Sequence, residues 1–215
     1  QGRMLTQAVT GTPGHVNAMA ASVGFFLRKF PLERLQTGDV LLTNDPWNGT
    51  GHLNDFTVVT PVFKAGTPVA LFAATSHIAA VGGLGFGPAG RQVFEEGLNI
   101  PMGYLFRAGE PNRVLLDILR ANVRDPRAAE GDLYSLAACN NAGAGSLLAT
   151  LDEFRMDNLN GVAQAIFDNS RAAMLDEIAQ LPRGSWRNTM RIVGYYEPVV
   201  LVCRLTISDD GIDVD

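Results

Sequence analysis

Apolar side chains recur along the first third of the chain in a pattern that changes from helical to extended. Between residues 15 and 30 they fall every three or four residues, which predicts an amphipathic helix that Pro31 ends. The runs FTVVTPVF (56–63) and VALFAATS (69–76) are predominantly apolar and are joined by a turn-like segment. Such runs are typical of neighbouring strands buried on both faces. If they pair as a hairpin, the second strand ends where the first begins.

The second half of the chain is mainly helical in pattern before strands return. Helical periodicity extends over segments near 112–122, 128–154 and 158–181. The runs NTMRIVGYY (188–196) and VVLVCRLTI (199–207) then have the composition of strands. Because strands and helices are largely segregated along the sequence, we predict an α+β fold with a helical middle at about 112–181 rather than a wound parallel sheet.

Composition limits the classes of function. The chain has 215 residues, enough to bury a core, and a formal net charge of −5 without a basic tract, which argues against a nucleic-acid partner. No apolar run reaches about 18 residues, so we expect no membrane-spanning helix. Cys139 and Cys203 form no CxxC motif, which favours two buried thiols in a reducing, cytoplasmic compartment.

Candidate chemistry is concentrated in the polar loop NDPWNGTGHLND (44–55), just before the first long strand. His52 and Asp55 lie in this loop, and His77 follows the second predicted strand. Two imidazoles and a carboxylate form a common catalytic site for Zn, Mn or Fe. The spacing alone leaves other interpretations open: a solvated loop histidine, an Asp55 that caps a turn, and a half-buried histidine at a strand end.

Other conspicuous positions have structural explanations that compete with a functional one. Asn44 and Asp45 precede Pro46 as turn-starting residues do, and the alternative is that Asp45 orients a metal-bound imidazole. The stretch GGLGFGPAG (82–90) matches no phosphate-binding motif and fits a mobile lid or a close approach to a ligand better. His15 follows Thr-Pro-Gly, where helix capping or exposure to solvent is the expected role.

Four segments taken together carry a resemblance to a known family. They are NDPWNGTGHLNDFTVVTPVF, SHIAAVGG, QVFEEGLNIP and the NVRDP…GDL sequence at 122–133. They resemble the hydantoinase B/oxoprolinase family, and the resemblance runs along essentially the whole chain. Members of that family are usually much longer, which implies that this chain is the N-terminal region of a larger B-type subunit. Within it we expect a β-rich part with the candidate site at 1–110, a helical part at 111–183 and strands at 184–215.

The resemblance also implies an activity and its residues. It implies an ATP-dependent cyclic-amide hydrolase that opens hydantoin, 5-oxoproline or lactam rings in a hetero-oligomer. A hydantoinase A-type partner subunit would use ATP and Mg to phosphorylate the substrate. The family's metal ligands correspond to His52, Asp55 and His77, so a divalent Zn, Mn or Fe ion is expected there. Catalytic roles are expected for Asp45, Asp55 and His77.

Two alternatives to this activity stay open. The family includes the metal-bearing subunit of acetone carboxylase-type enzymes, so a ketone could be the substrate of an ATP-dependent carboxylation. Many relatives also carry a second histidine and an aspartate in an HHADxGG motif, where this chain has Ile78 and Ala80. That departure favours a non-catalytic subunit whose site has decayed.

Overall fold

A computed structural model of the chain describes residues 2–8, 12–85, 87–194 and 196–215. The helices are α1 (Pro13–Lys29), α2 (Val93–Glu96), α3 (Arg113–Asn122), α4 (Pro126–Glu153) and α5 (Asn160–Ala179), with a 3₁₀ turn at Leu32–Arg34. The strands are β1 (Val40–Thr43), β2 (Asp55–Lys64), β3 (Thr67–His77), β4 (Gly103–Arg107), β5 (Glu110–Pro111), β6 (Gly184–Ile192), β7 (Val199–Ile207) and β8 (Ile212–Val214). Packing divides the chain between Leu159 and Asn160 into two compact units.

An antiparallel five-stranded sheet in the order β3-β2-β1-β4-β5 organises the first unit. Side chains alternate across a strand, so neighbouring residues of β1 face different cores. Leu42 packs with α3 and α4 on one face, whereas Leu41 packs with Phe26 of α1 on the other. Because both faces of the sheet centre are covered by helices, β2 is buried from Asp55 to Val62.

The helices of this unit begin where side chains satisfy their free backbone N–H groups. The Asn112 side chain accepts a hydrogen bond from the Leu115 N–H at the start of α3. Asp125 does the same for the Ala128 N–H at the start of α4. Such caps satisfy donors that have no partner within the helix. Both helices then present leucines to the sheet, and these leucines form its core on that face.

The second unit consists of α5 and a three-stranded antiparallel sheet in the order β6-β7-β8. Ile178 of α5 and Ile207 of β7 are buried. Most of β6 and the first six residues of β7 are exposed, including apolar side chains that point to both faces. In the part of the chain that the structure describes, the three strands pair with one another, but much of the apolar surface of this sheet is exposed.

The α+β class predicted from the sequence is confirmed, with an antiparallel sheet first, helices in the middle and strands at the end. The strand expected at 188–196 begins earlier, at Gly184, and ends at Ile192; Tyr195 lies outside the described residues. The second strand of the hairpin, β3, is only partly buried rather than covered on both faces, because it lies at the sheet edge. The subdivision at residues 110 and 183 stays a prediction.

The expectation of two buried thiols was wrong. Cys139 and Cys203 are both exposed and unbonded. Cys139 lies on α4, whose sheet-facing side is formed by Leu133, Leu136, Ala137 and Asn140, and Cys203 lies in the uncovered part of β7. In the parts of the chain that the structure describes, no helix is long and apolar enough to cross a membrane.

Candidate metal centre

The β2–β3 hairpin places two of the candidate residues opposite each other. Asp55 is the first residue of β2 and His77 the last of β3, and the antiparallel register pairs them directly. The two segments stay hydrogen-bonded to each other at the next residue pair beyond the strands, Asn54 and Ile78. The Ile78 N–H donates to the Asn54 carbonyl at 2.9 Å, and the Asn54 side-chain amide donates to the Ile78 carbonyl at 2.9 Å.

Asn44 holds the loop 44–54 against the chain that precedes β4. Its side chain is buried and donates to the carbonyl oxygens of Leu53 at 2.7 Å and Leu98 at 2.8 Å. Its side-chain oxygen accepts from the Ile100 N–H at 2.6 Å. One side chain thereby uses both amide hydrogens and its acceptor. Asn44 thus fixes the conformation of the loop rather than offering a free donor to a ligand.

Asp45 also bonds within the loop. One carboxylate oxygen accepts from the Trp47 N–H at 3.0 Å, and the other accepts from the Asn48 side chain at 2.7 Å. This is the arrangement expected of an Asx residue that starts a turn. The catalytic role expected for Asp45 stays a prediction, and the structure places its carboxylate in the turn.

His52, Asp55 and His77 converge. One potential ligand atom from each residue lies within 4.8 Å of those of the other two. His52 Nε2 is 3.3 Å from Asp55 Oδ2, and His77 Nδ1 is 3.3 Å from Asp55 Oδ1. The two imidazole rings stand edge to face with their centroids 4.9 Å apart. A loop and the two ends of a hairpin thus bring these three side chains to one place.

Sequence reasoning missed His15, whose Nε2 lies 3.0 Å from Asp55 Oδ2. All three histidines of the sequence therefore surround one carboxylate. The helical periodicity of α1 could have indicated a buried place for His15. Ser22 and Phe26 lie seven and eleven residues further along, on the same face of the helix, and both are buried. Capping or exposure to solvent therefore does not describe the place of His15.

The donor set fits a divalent metal ion. Two ligands about 2.1 Å from one ion at a tetrahedral angle are about 3.4 Å apart, which compares with 3.3 Å from each imidazole nitrogen to an Asp55 oxygen and a limit of 4.8 Å for the set of three donors. Asp55 is only 1% exposed, and neither oxygen accepts a well-aligned hydrogen bond from any residue that the structure describes. A buried carboxylate in this state is costly unless a cation compensates it. His77 is 50% exposed, which leaves one side of the centre accessible, as in catalytic sites.

Its electrostatic surroundings favour the neutral form of the His52 imidazole. Burial lowers the pKa of His52 below its ordinary value; the Asp55 carboxylate opposes this effect, and His77 and His15 add to it. A lowered pKa keeps the imidazole neutral near physiological pH. The neutral imidazole is the form that binds a metal.

A cleft of about 680 Å³ lies beside the loop that carries His52. Its walls include Asp45, the backbone of Gly82 and Gly83, and Phe94. Glycine is required at both loop positions, which have φ of 80° and 58°, because a Cβ would lie 2.6 Å from the carbonyl oxygens of Asn122 and Glu95 respectively. The close approach expected for the stretch 82–90 is therefore made to the protein's own backbone; Phe86 of that stretch lies outside the described residues.

Comparisons with known proteins agree with this architecture. Caprolactamase subunit beta of Pseudomonas jessenii is 27% identical over 177 residues, which cover 81% of this chain and 30% of that subunit. The crystal structure of ATP-dependent caprolactamase from Pseudomonas jessenii matches with a TM-score of 0.85 at 24% identity, over 94% of this chain and 36% of that one. A nucleotide-free structure of acetone carboxylase matches with a TM-score of 0.81 at 20% identity, over 96% of this chain and 30% of that one.

At these identities the two structural likenesses establish a shared fold. The chain spans about a third of the length of each of these three proteins. The family model described as hydantoinase B/oxoprolinase matches residues 1–215. With a match over its full length, this chain belongs to the hydantoinase B/oxoprolinase family.

Proposed function

We propose that this chain is part of a B-type subunit of an ATP-dependent cyclic-amide hydrolase that opens hydantoin, 5-oxoproline or lactam rings. The observation that carries the proposal is the convergence of His52, Asp55 and His77 on one accessible centre. Membership of the hydantoinase B/oxoprolinase family supports a cyclic amide as substrate, and so does a relative named as a caprolactamase.

The three residues would hold a divalent Zn, Mn or Fe ion in distinct ways. Asp55 would provide the anionic ligand, and His52 and His77 the neutral ones. When bound, the ion would supply Lewis acidity for the attack of water on an activated ring carbonyl. His77 lies at the exposed side of the centre, so a substrate would approach past it. Asp45 would act by keeping the loop of His52 in place.

The cleft beside the loop 44–54 is the proposed binding place for the ring. Its glycine backbone and the exposed ring of Phe94 offer flat contacts to a small cyclic molecule, and Asn99 and Asn122 offer amide groups to a polar ring. Asp45 lines this cleft and lies in the loop that carries His52, so the cleft and the metal centre share one segment of chain.

Activation of the substrate is assigned to a partner. The sequence contains no GxxxxGK[ST] motif for ATP phosphates, which supports a division of labour with a hydantoinase A-type subunit that uses ATP and Mg. The designation of the caprolactamase relative as subunit beta supports a hetero-oligomer. We propose that this complex works in the cytoplasm.

A ketone carboxylase is the alternative supported by fold. The acetone carboxylase likeness favours it, and the same metal centre could polarise a ketone. The third possibility, a decayed site, is weakened by the place of Ile78. That side chain is fully buried in the core with Leu53 and Val81, so its identity removes no donor from the three that converge.

The test is turnover by the full-length protein assembled with its partner. ADP release and ring-opened product are measured with lactams, hydantoins and ketones, each with and without bicarbonate. We expect a cyclic amide to be opened without bicarbonate, and Asp55→Ala to abolish the reaction. Asp117→Ala, at an exposed acid on α3, serves as the matched control. Bicarbonate-dependent consumption of a ketone would establish the carboxylase instead, and turnover of no substrate would favour a non-catalytic subunit.

A further inference from the structure

His15 makes the shortest contact to the carboxylate at the centre of the site. Its Nε2 lies 3.0 Å from Asp55 Oδ2, against 3.3 Å for each of the other two histidine contacts. The His15 side chain is 29% exposed, so it closes one side of the buried acid. The distance is short enough for a hydrogen bond, but the N–H is not aligned with the oxygen in this structure, and a rotation of the imidazole or the carboxylate would align them.

His15 lies nevertheless outside the set of converging ligand atoms. Among the described residues, the donors that all lie within 4.8 Å of one another come from His52, Asp55 and His77. His15 approaches the same oxygen of Asp55 as His52 does. A carboxylate oxygen has two lone-pair directions, so Oδ2 can accept from His15 and still face the converging donors.

The helix that carries His15 is firmly attached to the sheet beneath the site. Phe26 of α1 is fully buried against the sheet, in the same cluster as Leu41 and Val59. The Ser22 hydroxyl donates to the Asn48 carbonyl at 2.6 Å, which ties α1 to the loop of His52. The place of His15 is therefore set by packing along α1 and not by the loop alone.

The geometry points to His15 as a positioning residue, which lies 3.0 Å from Asp55 Oδ2 and would donate its Nε2–H to that oxygen once the carboxylate turns toward a metal ion, holding it in that rotation. This inference rests on the proposed metal centre and adds a residue that acts through Asp55. Groups that hydrogen-bond to metal ligands orient them, and their loss typically weakens metal affinity by about 10- to 100-fold.

The experiment measures Zn²⁺ affinity and stoichiometry in the full-length protein by competition with a chromophoric chelator. His15→Leu keeps a side chain of similar size without the donor, and His15→Gln keeps an N–H donor at similar reach that does not titrate. Asn17→Leu alters an exposed side chain on the same helix and is the matched control. His52→Leu removes a proposed ligand. Circular dichroism of each ion-free variant verifies that it is folded.

We expect one Zn²⁺ per chain in the wild type and in the His15 variants. Affinity should fall about 10- to 100-fold in His15→Leu and stay within about threefold of wild type in His15→Gln and Asn17→Leu. His52→Leu should bind no Zn²⁺ at concentrations that saturate the wild type.

Four results would overturn the inference. Unchanged affinity in His15→Leu would mean that His15 positions nothing, and equal losses in His15→Leu and His15→Gln would mean that the donor is not what matters. Complete loss of binding in His15→Leu would make His15 a ligand. Two ions per chain would make Asp55 a bridge between metals. A wild type that binds no Zn²⁺ would remove the proposed metal centre itself, and this outcome is distinct from the other four.

Discussion

At the scale of single residues, Asp55 combines almost complete burial with poor hydrogen bonding. Its carboxylate is almost completely buried and accepts no well-aligned hydrogen bond from the described residues, so burial costs it favourable interactions with water. The imidazoles around it compensate only weakly as long as they are neutral. A cation between these groups would offset the cost, in keeping with the metal centre proposed above.

We therefore predict that Asp55→Ala separates metal binding from stability. Without metal, the free energy of unfolding should fall by less than about 1 kcal/mol, because relief from burying a poorly hydrogen-bonded carboxylate offsets the loss of its contacts with the imidazoles. With Zn²⁺ at about 100 times its Kd, the wild type should gain about 2.7 kcal/mol and the variant nothing. Urea unfolding followed by circular dichroism, with and without Zn²⁺, measures both values. Unfolding of the ion-free variant, with no Zn²⁺ effect on the wild type, would make Asp55 a turn cap.

Asn44 illustrates the opposite case, a polar residue of the same loop that serves the fold. Asn44→Ala would remove three hydrogen bonds and leave the Leu98 carbonyl and the Ile100 N–H without their present side-chain partner. We expect the free energy of unfolding to fall by about 3 kcal/mol, since each unsatisfied buried group costs about 1–3 kcal/mol. Asn48→Ala, which removes a partly exposed bond to Asp45, is the control and should cost less than about 1 kcal/mol. Similar losses in the two variants would contradict the role assigned to Asn44.

Three residues of the site could be predicted from the sequence, and one could not. His52, Asp55 and His77 were selected because residue chemistry and a family motif agreed, and the structure brings them together. Whether they hold a metal stays a prediction. His15 was passed over because its contact with Asp55 spans forty positions and depends on how α1 packs on the sheet. The helical pattern places His15 on the buried face of α1, but it does not specify which residue of the sheet that face meets.

At the scale of elements, two glycines of α4 differ in how closely their backbone lies to the sheet. A Cβ at Gly143 would lie 2.5 Å from the Phe72 ring of β3, whereas a Cβ at Gly145 would meet no atom within 4 Å. Asn140 of the same helix is buried and donates to the Phe72 carbonyl at 3.3 Å. The close approach at Gly143 and the buried polar contact at Asn140 thus belong to one helix–sheet interface.

Two alanine substitutions on this helix should therefore change stability in opposite directions. Gly145→Ala should raise the free energy of unfolding by about 0.5–1 kcal/mol, because alanine favours the helix and nothing obstructs its methyl group. Gly143→Ala carries the same helical gain but must displace Phe72, and overpacking of this kind costs about 1–3 kcal/mol. Urea denaturation of the two variants compares them directly. An equal gain in both would show that α4 does not press on β3 at Gly143.

Helices and strands were predictable here to the extent that periodicity encodes them. The helices at 113–122, 126–153 and 160–179 agree with their sequence patterns to within two residues at most ends. The short strands β4 and β5 were missed, because five and two residues are too few to display a period. Burial was harder to predict than element type. The exposed Cys203 and the partly exposed β3 depend on what lies beside each sheet, and an apolar run does not specify its neighbour.

At the scale of the whole molecule, the chain contains a candidate metal centre but no recognisable ATP-binding motif. It also spans about a third of the length of caprolactamase subunit beta, so under the proposed function the rest of the catalytic cycle would be contributed by other segments or subunits. If a partner phosphorylates the substrate and this subunit completes the reaction, the two steps should be separable by mutation.

The last prediction tests that separation in the assembled complex. The purified chain alone should hydrolyse no ATP, with or without a lactam or hydantoin. In the complex, Asp55→Ala should slow ring opening at least about a thousandfold, because Lewis-acid assistance contributes several kcal/mol to the transition state. Phosphorylation by the partner should persist, so a rapid-quench experiment should find about one ADP formed per site without ring-opened product. Asp117→Ala should form both at the wild-type rate. Loss of the ADP burst together with the product would mean that Asp55 contributes to activation as well, and ATP hydrolysis by the chain alone would contradict the division of labour.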